Sequence, residues 1–529
     1  MQRFLSSKNK TKGTLQADSA SIKKTRYTRV NSCNAKYTGK LDQALGYFLA
    51  TVGTSDDYVV RTVLVAGRDG ACLFLKTLCD PEAVQSALRE IHCHDFAQLK
   101  EQKVLAKYLV DRVLSGAETT FSTNLFDMKE AIVAGDLVII VDGVSPAVII
   151  RAKHVEHRAL DEPKFETSVR GSQIGFVENI TTNISILRDG FMTETLVVKK
   201  LHVGSRNRKE VAVVYLHDVA NPNLVRTVVD RIKTIKIDTV SQGTDIELRI
   251  IGHKWTMFPL TRAVQRVDST VKEISQGKVV VIVDGDPTVL IVPVTIQDFF
   301  QTEEDYSRSS FEATFIRWIR IVAFIFALYL PALYISFVDY NPELLPKVLG
   351  LQIAKSREGV PFPAIFEVIM MQVVIEILRE ATLRMPRQLG QTLGIVGGLV
   401  VGEATVQAGL VSNVLIIVVS LTAISIFVSP SYEFGMVLRL GNFVMFTSAA
   451  ICGLYAIVIV SIVILYELSS LESFGVPYLS PFDGRYIRDG IVDGMFRIPL
   501  TLLERFRTAH ILPQTTRIGR GFRRGGRSK

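Results

Sequence analysis

Short apolar runs alternate with amphipathic stretches between residues 41 and 300, and after Trp318 the pattern changes to long segments without charge. In the first half, Thr62–Ala66 and Ala71–Leu75 flank the turn Gly67-Arg68-Asp69-Gly70, which predicts a hairpin. Asp80-Pro81-Glu82 opens a helix expected to run to about Glu90, with Pro at an early position and acids in the first turn. Met128–Val133 predicts a second helix and Asp136–Asp142 a buried strand. The same order then returns. The apolar run Gly135–Gly143 and its follower Ala147–Ile150 match Gly277–Gly285 and Val289–Val292. Asp142 and Asp284 stand 142 residues apart, Pro81 and Pro222 141, and Gly67 and Gly204 137. So long a period reads as two copies of one α/β unit rather than a solenoid. Each Asp-Gly pair reads as turn chemistry between strands, not as a catalytic acid.

In the second half, Ile321–Val338 is an uncharged run of 18 residues flanked by Arg317, Arg320 and Asp339, with Pro331 predicting a kink. Pro361–Leu378 is a second apolar stretch, carrying Glu367 and Glu376. Ala404–Tyr432 holds 29 residues without charge and Gly441–Tyr466 holds 26. Between Pro361–Leu378 and Ala404–Tyr432 lies the glycine-rich Gln388–Gly402. The expectation is four full spans plus a broken or re-entrant element at about 388–411. With the basic segments inside, both ends lie on the cytoplasmic side, which requires an even number of crossings. The fold class expected is therefore a duplicated α/β cytoplasmic domain followed by an all-α polytopic membrane domain. Its parts are a basic arm (1–40), a first α/β subdomain (41–154), a connecting segment (155–195) and a second α/β subdomain (196–300). A linker (301–317), a transmembrane domain (318–467) and a basic cytoplasmic tail (468–529) follow.

Composition sharpens this reading. With 21% charged and 48% hydrophobic residues in 529, the bulk of the chain is not disordered. Mean hydropathy is +0.27, high for a soluble enzyme. The net charge of +9 is unevenly placed, because residues 1–40 carry +9 and 484–529 carry +8, which leaves −8 for 41–483. Beside a membrane domain such tails fit anionic lipid better than nucleic acid. Five cysteines without a CxxC spacing read as reduced intracellular thiols, and the polar N-terminus has no signal-peptide core. His92-Cys93-His94-Asp95 has no zinc spacing. No phosphate-loop, dinucleotide, metalloprotease or hydrolase motif occurs, so neither an enzyme, a cofactor nor a metal site is expected.

The residues with functional promise lie in the apolar half. Glycines in the run Leu393, Gly394, Gly397, Gly398, Val401 and Gly402 permit close helix approach or a helix break that exposes carbonyls to a cavity. Glu403 follows directly, and in a symmetric oligomer it becomes a ring of acids that attracts inorganic cations. Glu367, Glu376 and Arg379 are further intramembrane charges, with Glu376 and Arg379 spaced i, i+3 for an ion pair.

The order of motifs resembles the GerA family of bacterial spore germination proteins, A-subunit type. The resemblance is carried by Asn341–Pro346, Arg357–Pro363, Glu376–Ala381, Arg384–Gly402, Ala408–Ser412, Ser429–Glu433 and Ser473–Leu479. Glu162, Pro163, Glu166, Arg170, Gly171, Gly175, Phe176 and Glu178 match the family's segment between two soluble subdomains, an assembly or interdomain motif, although Ser172-Gln173 stand where the family has Pro and a basic residue. The resemblance implies a multi-pass protein of the spore inner membrane. It also implies a homo-oligomer acting as a nutrient-gated ion channel, with a permease-like B subunit and a lipoprotein C subunit as partners. A SpoVAF-type accessory channel or scaffold without nutrient gating is the alternative.

Overall fold

The computed structural model describes residues 36–93, 102–114, 116–154, 174–252, 255–302, 304–386, 402–482, 494 and 496–497. Two compact units divide it, residues 1–154 and 155–529.

The first unit runs α1 (Leu41–Thr51), β1 (Tyr58–Val65), β2 (Arg68–Leu75), α2 (Pro81–Cys93) and α3 (Gln102–Tyr108). It continues with β3 (Thr119–Ser122), α4 (Leu125–Ala134), β4 (Leu137–Val141) and β5 (Ala147–Ile150). Its antiparallel sheet has the order β1-β2-β4-β5-β3. Successive strand residues face opposite sides. Val63, Cys72, Phe74, Ile139 and Val148 pack with Val84, Ile91 and Leu105 of α2 and α3, while α1 and α4 pack on β2 and β4 from the other side. Both faces are covered, which is why β4 is apolar at every position.

The second unit repeats the pattern with α5 (Ile180–Phe191), β6 (Leu196–Val203), β7 (Lys209–Leu216), α6 (Pro222–Thr234) and α7 (Gly243–Ile250). There follow β8 (Arg262–Val264), α8 (Val267–Ser275), β9 (Val279–Val283) and β10 (Val289–Val292). The sheet order is β6-β7-β9-β10-β8, the same as in the first unit. The Asp-Gly pairs occupy matching turns. Gly143 N donates to Gly39 O and Gly285 N to Glu178 O, each at 2.7 Å, and both glycines have φ in the left-handed region, +74° and +80°. The Asp142 carboxylate accepts from Leu41 N at the start of α1 (3.1 Å).

The second α/β body begins before residue 196. Phe176, Ile180, Ile184 and Leu187 are buried against Leu196, Val214, Ile282 and Val289, so α5 belongs to the body and not to the connector. Its amphipathic face was hidden in the sequence by the polar residues around it.

From residue 304 the unit becomes helical: α9 (Glu304–Ser307), α10 (Ser310–Ile335), α11 (Lys347–Ser356), α12 (Ala364–Arg384), α13 (Asn413–Phe427), α14 (Tyr432–Cys452) and α15 (Leu454–Ser470). The expected linker 301–317 is therefore largely helix, since the Ser309 hydroxyl accepts from Glu312 N and caps α10. Two apolar runs read as single spans are not single. Ala404–Tyr432 contains a turn at 408–412 before α13, and Gly441–Tyr466 is broken into α14 and α15 at Gly453. Gly453 has φ +57° and ψ −136°, and a Cβ there would stand 2.9 Å from the Tyr340 Cβ. Gly453→Ala is therefore expected to cost about 1–3 kcal/mol, read as a lower unfolding midpoint of the detergent-solubilised chain; an unchanged midpoint would show that the hairpin tolerates a side chain.

Residues 471–482, assigned by position to the tail, pack between the α/β body and the helices. Ser473 Oγ donates to Leu260 O (2.8 Å) and accepts from Val294 N (3.1 Å), and Ile296 N donates to Tyr478 O (2.8 Å). Phe299 stacks on Phe434 at 5.3 Å, and Phe324 meets the same ring at 5.4 Å. This segment is apolar and uncharged apart from Glu472, unlike the arginine-rich residues that follow.

Candidate functional site

Three charge clusters lie in or beside the helical part, and each is assembled from residues distant in sequence. The first is at the junction with the α/β body. Asp305 of α9 is 1% exposed. Its Oδ2 lies 3.1 Å from both Arg317 Nε and Arg320 Nη1, and the Thr302 hydroxyl donates to Oδ1 (2.9 Å). Arg317 and Arg320 reach it together because i, i+3 positions share one face of α10. Arg497 Nε donates to the Asp305 carbonyl (3.3 Å), and its guanidinium lies over the Tyr306 ring at 4.6 Å. Burial alone would raise the Asp305 pKa, but Arg320 and Arg317 outweigh it and hold the carboxyl below the usual carboxylate range. Beside it, buried Lys278 lies 2.7 Å from both Glu273 and Asp298. Burial opposes its charge, yet those two carboxylates raise its pKa.

The second cluster is at the opposite end of the helices. Glu367 is fully buried. Its Oε1 accepts from Arg357 Nε (3.1 Å) and lies 3.0 Å from Arg357 Nη2, while Oε2 accepts from Ser412 N at the start of α13 (3.0 Å). Arg357 also reaches Asp339 (3.4 Å) and donates to Phe362 O (3.2 Å). The Ser412 hydroxyl pairs with Tyr334 OH of α10 (2.9 Å). One acid thus ties the ends of α12 and α13 to the turn after α10.

The third cluster lies at the other end of α12. Arg379 Nη1 is 2.7 Å from Glu376 Oε1, and Arg439 Nη1 of α14 is 3.5 Å from Oε2. Arg379 lies over Phe427 and Arg439 over Tyr432.

Of the residues singled out in the sequence, Glu376 and Arg379 come together, and Glu367 takes Arg357 as its partner instead. Leu393, Gly394, Gly397, Gly398 and Val401 lie outside the described residues, as do Glu162, Pro163, Glu166, Arg170 and Gly171. Gly402 has no atom within 4 Å of where a Cβ would stand. Glu403 is exposed and accepts from Gln407 Nε2 (3.1 Å). Gly175, Phe176 and Glu178 are built into the second α/β body: Gly175 bridges Arg266, and Phe176 N donates to Gln265 O (2.8 Å). The Asn183 amide clamps Val177 through both its N–H (2.9 Å) and its carbonyl (2.6 Å).

Sequence reasoning missed Asp305, Arg357, Ser412 and Arg439 as site residues. A signal existed for Arg317 and Arg320, two arginines on one helix face at the border of an uncharged run, which if buried require an acidic partner. Among the described residues no group of three or more His, Cys, Asp or Glu is placed to hold a metal ion.

Taken together, these features define an α/β body fastened to a bundle of apolar helices, with Glu367 buried inside the bundle and aliphatic side chains such as Ile417, Ile424, Val458 and Ile462 on its surface. Two of the described helical segments, Ser310–Tyr340 and Tyr432–Cys452, are long and apolar enough to cross a membrane. The family model for the Bacillus/Clostridium GerA spore germination protein matches residues 46–508, and the chain belongs to the GerA family. It is 34% identical to spore germination protein GerLA of Bacillus cereus, over 88% of this chain and 94% of that one. It is 33% identical to spore germination protein B1 of Bacillus subtilis (strain 168), over 77% and 88%. The uncharacterized membrane protein YfkQ of the same organism is 32% identical over 85% and 87%. The crystal structure of the N-terminal domain of the A subunit of the Bacillus megaterium spore germinant receptor GerK3 aligns with a TM-score of 0.39 at 22% identity, covering 49% of this chain and 97% of that one.

Proposed function

We propose that the chain is an A-type subunit of a spore nutrient germinant receptor, held in the spore inner membrane with both termini cytoplasmic. As a homo-oligomer it opens an ion path when nutrient is sensed elsewhere in the receptor. Its partners under this reading are a permease-like B subunit, a lipoprotein C subunit, lipid and inorganic cations. Family membership supports the role in germination.

The run of the helices supports a multi-pass arrangement. Tyr340 donates to the Ala450 carbonyl, and Arg357, Glu367 and Ser412 gather at the same end. Arg379, Phe427 and Tyr432 mark the other end. Hence α10 and α14 run toward the Glu367 end, and α12, α13 and α15 run away from it. A chain that enters and leaves at one end crosses equally often in each direction. Of the stretch expected from sequence to be broken or re-entrant, at about 388–411, the part up to 401 lies outside the described residues.

The observation that carries the channel reading is mechanical. The Phe299–Phe434–Phe324 contacts and the shared Asp305 carboxylate join the α/β body to α10 and α14, a direct route by which a displacement of the body would reach the bundle. An energy difference of a few kcal/mol between two packings suffices to shift their populations. The test is cation flux from liposomes holding the full chain. Flux that falls with Gly398→Leu and with Glu403→Gln, in variants that still insert, supports the pore. Absence of flux from the parent chain would favour the scaffold reading.

A further inference from the structure

Trp255 is 99% exposed, the most exposed large apolar side chain among the described residues. It sits in the segment between α7 and β8, and two residues shortly after it, Thr256 and Phe258, are pinned. The Thr256 hydroxyl donates to Glu467 Oε1 in the last turn of α15 (3.2 Å). Phe258 is buried beside the Tyr478 ring, at 6.0 Å. These contacts hold the chain after Trp255 beside the last turn of α15, and the exposed ring projects at that level. Met257 is also exposed next to it, and Tyr466, the residue before Glu467, is 73% exposed.

An indole has a large apolar face and one N–H donor. Water solvates the face poorly, and hydrocarbon leaves the donor unpaired. The boundary between headgroups and acyl chains satisfies both, which is why tryptophan gathers there. Helix length supports the level. α15 has 17 residues, about 25 Å at 1.5 Å per residue, close to the thickness of a hydrocarbon core.

We propose that Trp255 inserts into the cytoplasmic-side headgroup boundary and anchors the second α/β body to lipid, next to the helices to which that body is fastened. This rests on the membrane-spanning reading above and adds a contact by the α/β body itself. With the ring held in lipid, the body resists rotation about the junction, and a change in lipid packing acts on it directly.

The chain has two tryptophans, Trp255 and Trp318. Trp318→Phe leaves Trp255 as the sole indole, in the full chain reconstituted in nanodiscs of phosphatidylcholine and phosphatidylglycerol. The expected result is blue-shifted emission, mostly lost when the lipids carry bromine near the headgroup and largely resistant to acrylamide in the water. Emission like that of free tryptophan, quenched by acrylamide, overturns the proposal while incorporation into the disc leaves the spanning reading intact. Resistance to both quenchers also overturns it, because the ring is then covered by protein. A chain that remains outside the discs without detergent overturns the spanning reading instead. The variant Trp255→Ala, with Trp318 emission unchanged from its contribution in the parent, shows that the signal belongs to residue 255 and not to a refolded bundle.

Discussion

Asp305→Ala is expected to destabilise the helical part by about 3–5 kcal/mol, because Arg317 and Arg320 lose the carboxylate that they share inside the protein. The cost comes from burial. Arg317 and Asp305 are each about 1% exposed, so water cannot enter to solvate the cations that remain. The measurement is the thermal or denaturant unfolding midpoint of the full chain in detergent. A companion variant separates charge from packing. Asp305→Leu combined with Arg317→Met and Arg320→Met removes all three charges and should recover most of the loss, since apolar replacement of a whole buried network is often neutral. If Asp305→Ala alone is neutral, water reaches the cluster and the junction is looser than its geometry implies.

The pH dependence follows from the same group. The folded pKa of Asp305 lies below its usual value, and the unfolded value is about 3.9. The group's contribution is therefore fully present above the unfolded pKa and is lost as pH falls through the lower folded value. The difference between parent and Asp305→Ala should stay constant from neutral pH down to about 5 and shrink only in stronger acid. A difference that already shrinks between pH 7 and 6 would assign the effect to another group.

Glu367→Ala is expected to have the second large effect, about 3 kcal/mol or more. Glu367 is fully buried, and its loss leaves Arg357 with Asp339 as its remaining carboxylate at 3.4 Å and leaves Ser412 N without its acceptor. The consequence is local as well as energetic. Glu367 links the start of α12 to the start of α13, and the chain enters α13 from Glu403 and the turn at Gly409. Releasing that link should therefore raise basal cation leak through liposomes if Glu403 lines the path. A double-mutant cycle with Arg357→Met and Glu367→Gln should give a coupling of about 1–3 kcal/mol. A coupling near zero would show that the two side chains do not act on each other, and an unchanged leak would separate Glu367 from the path.

Much of the α/β architecture was legible. The Asp-Gly turns at 142 and 284 lie at fixed distance from their strands because a hairpin imposes its residue types locally. A five-residue valine and isoleucine strand such as Val279–Val283 announces that both faces are covered. The Glu376–Arg379 pair was legible for the same reason, since i, i+3 neighbours meet on any helix. The start of the second body was not. Helix α5 places Asn179, Thr181 and Thr182 at its first turn, where Asn179 caps it, and these polar residues gave the segment the look of a connector.

Local pattern also misread the hairpin at Gly453. Hydropathy marks a chain reversal only where the turn meets water and needs polar residues. Gly453 reverses the chain between Cys452 and Leu454 with no charge nearby, tucked against Tyr340 from another part of the chain. By itself, then, the sequence determined the elements, the repeated α/β unit, the apolar half and the family, because periodicity, turn chemistry and motif order are properties of neighbouring residues. Only the tertiary structure decided which charges neutralise each other. Asp305 with Arg317 and Arg320, Glu367 with Arg357 and Ser412, and Glu376 with Arg439 are brought together by how distant helices pack, and for Asp305 and Glu367 burial excludes water and makes those partners decisive.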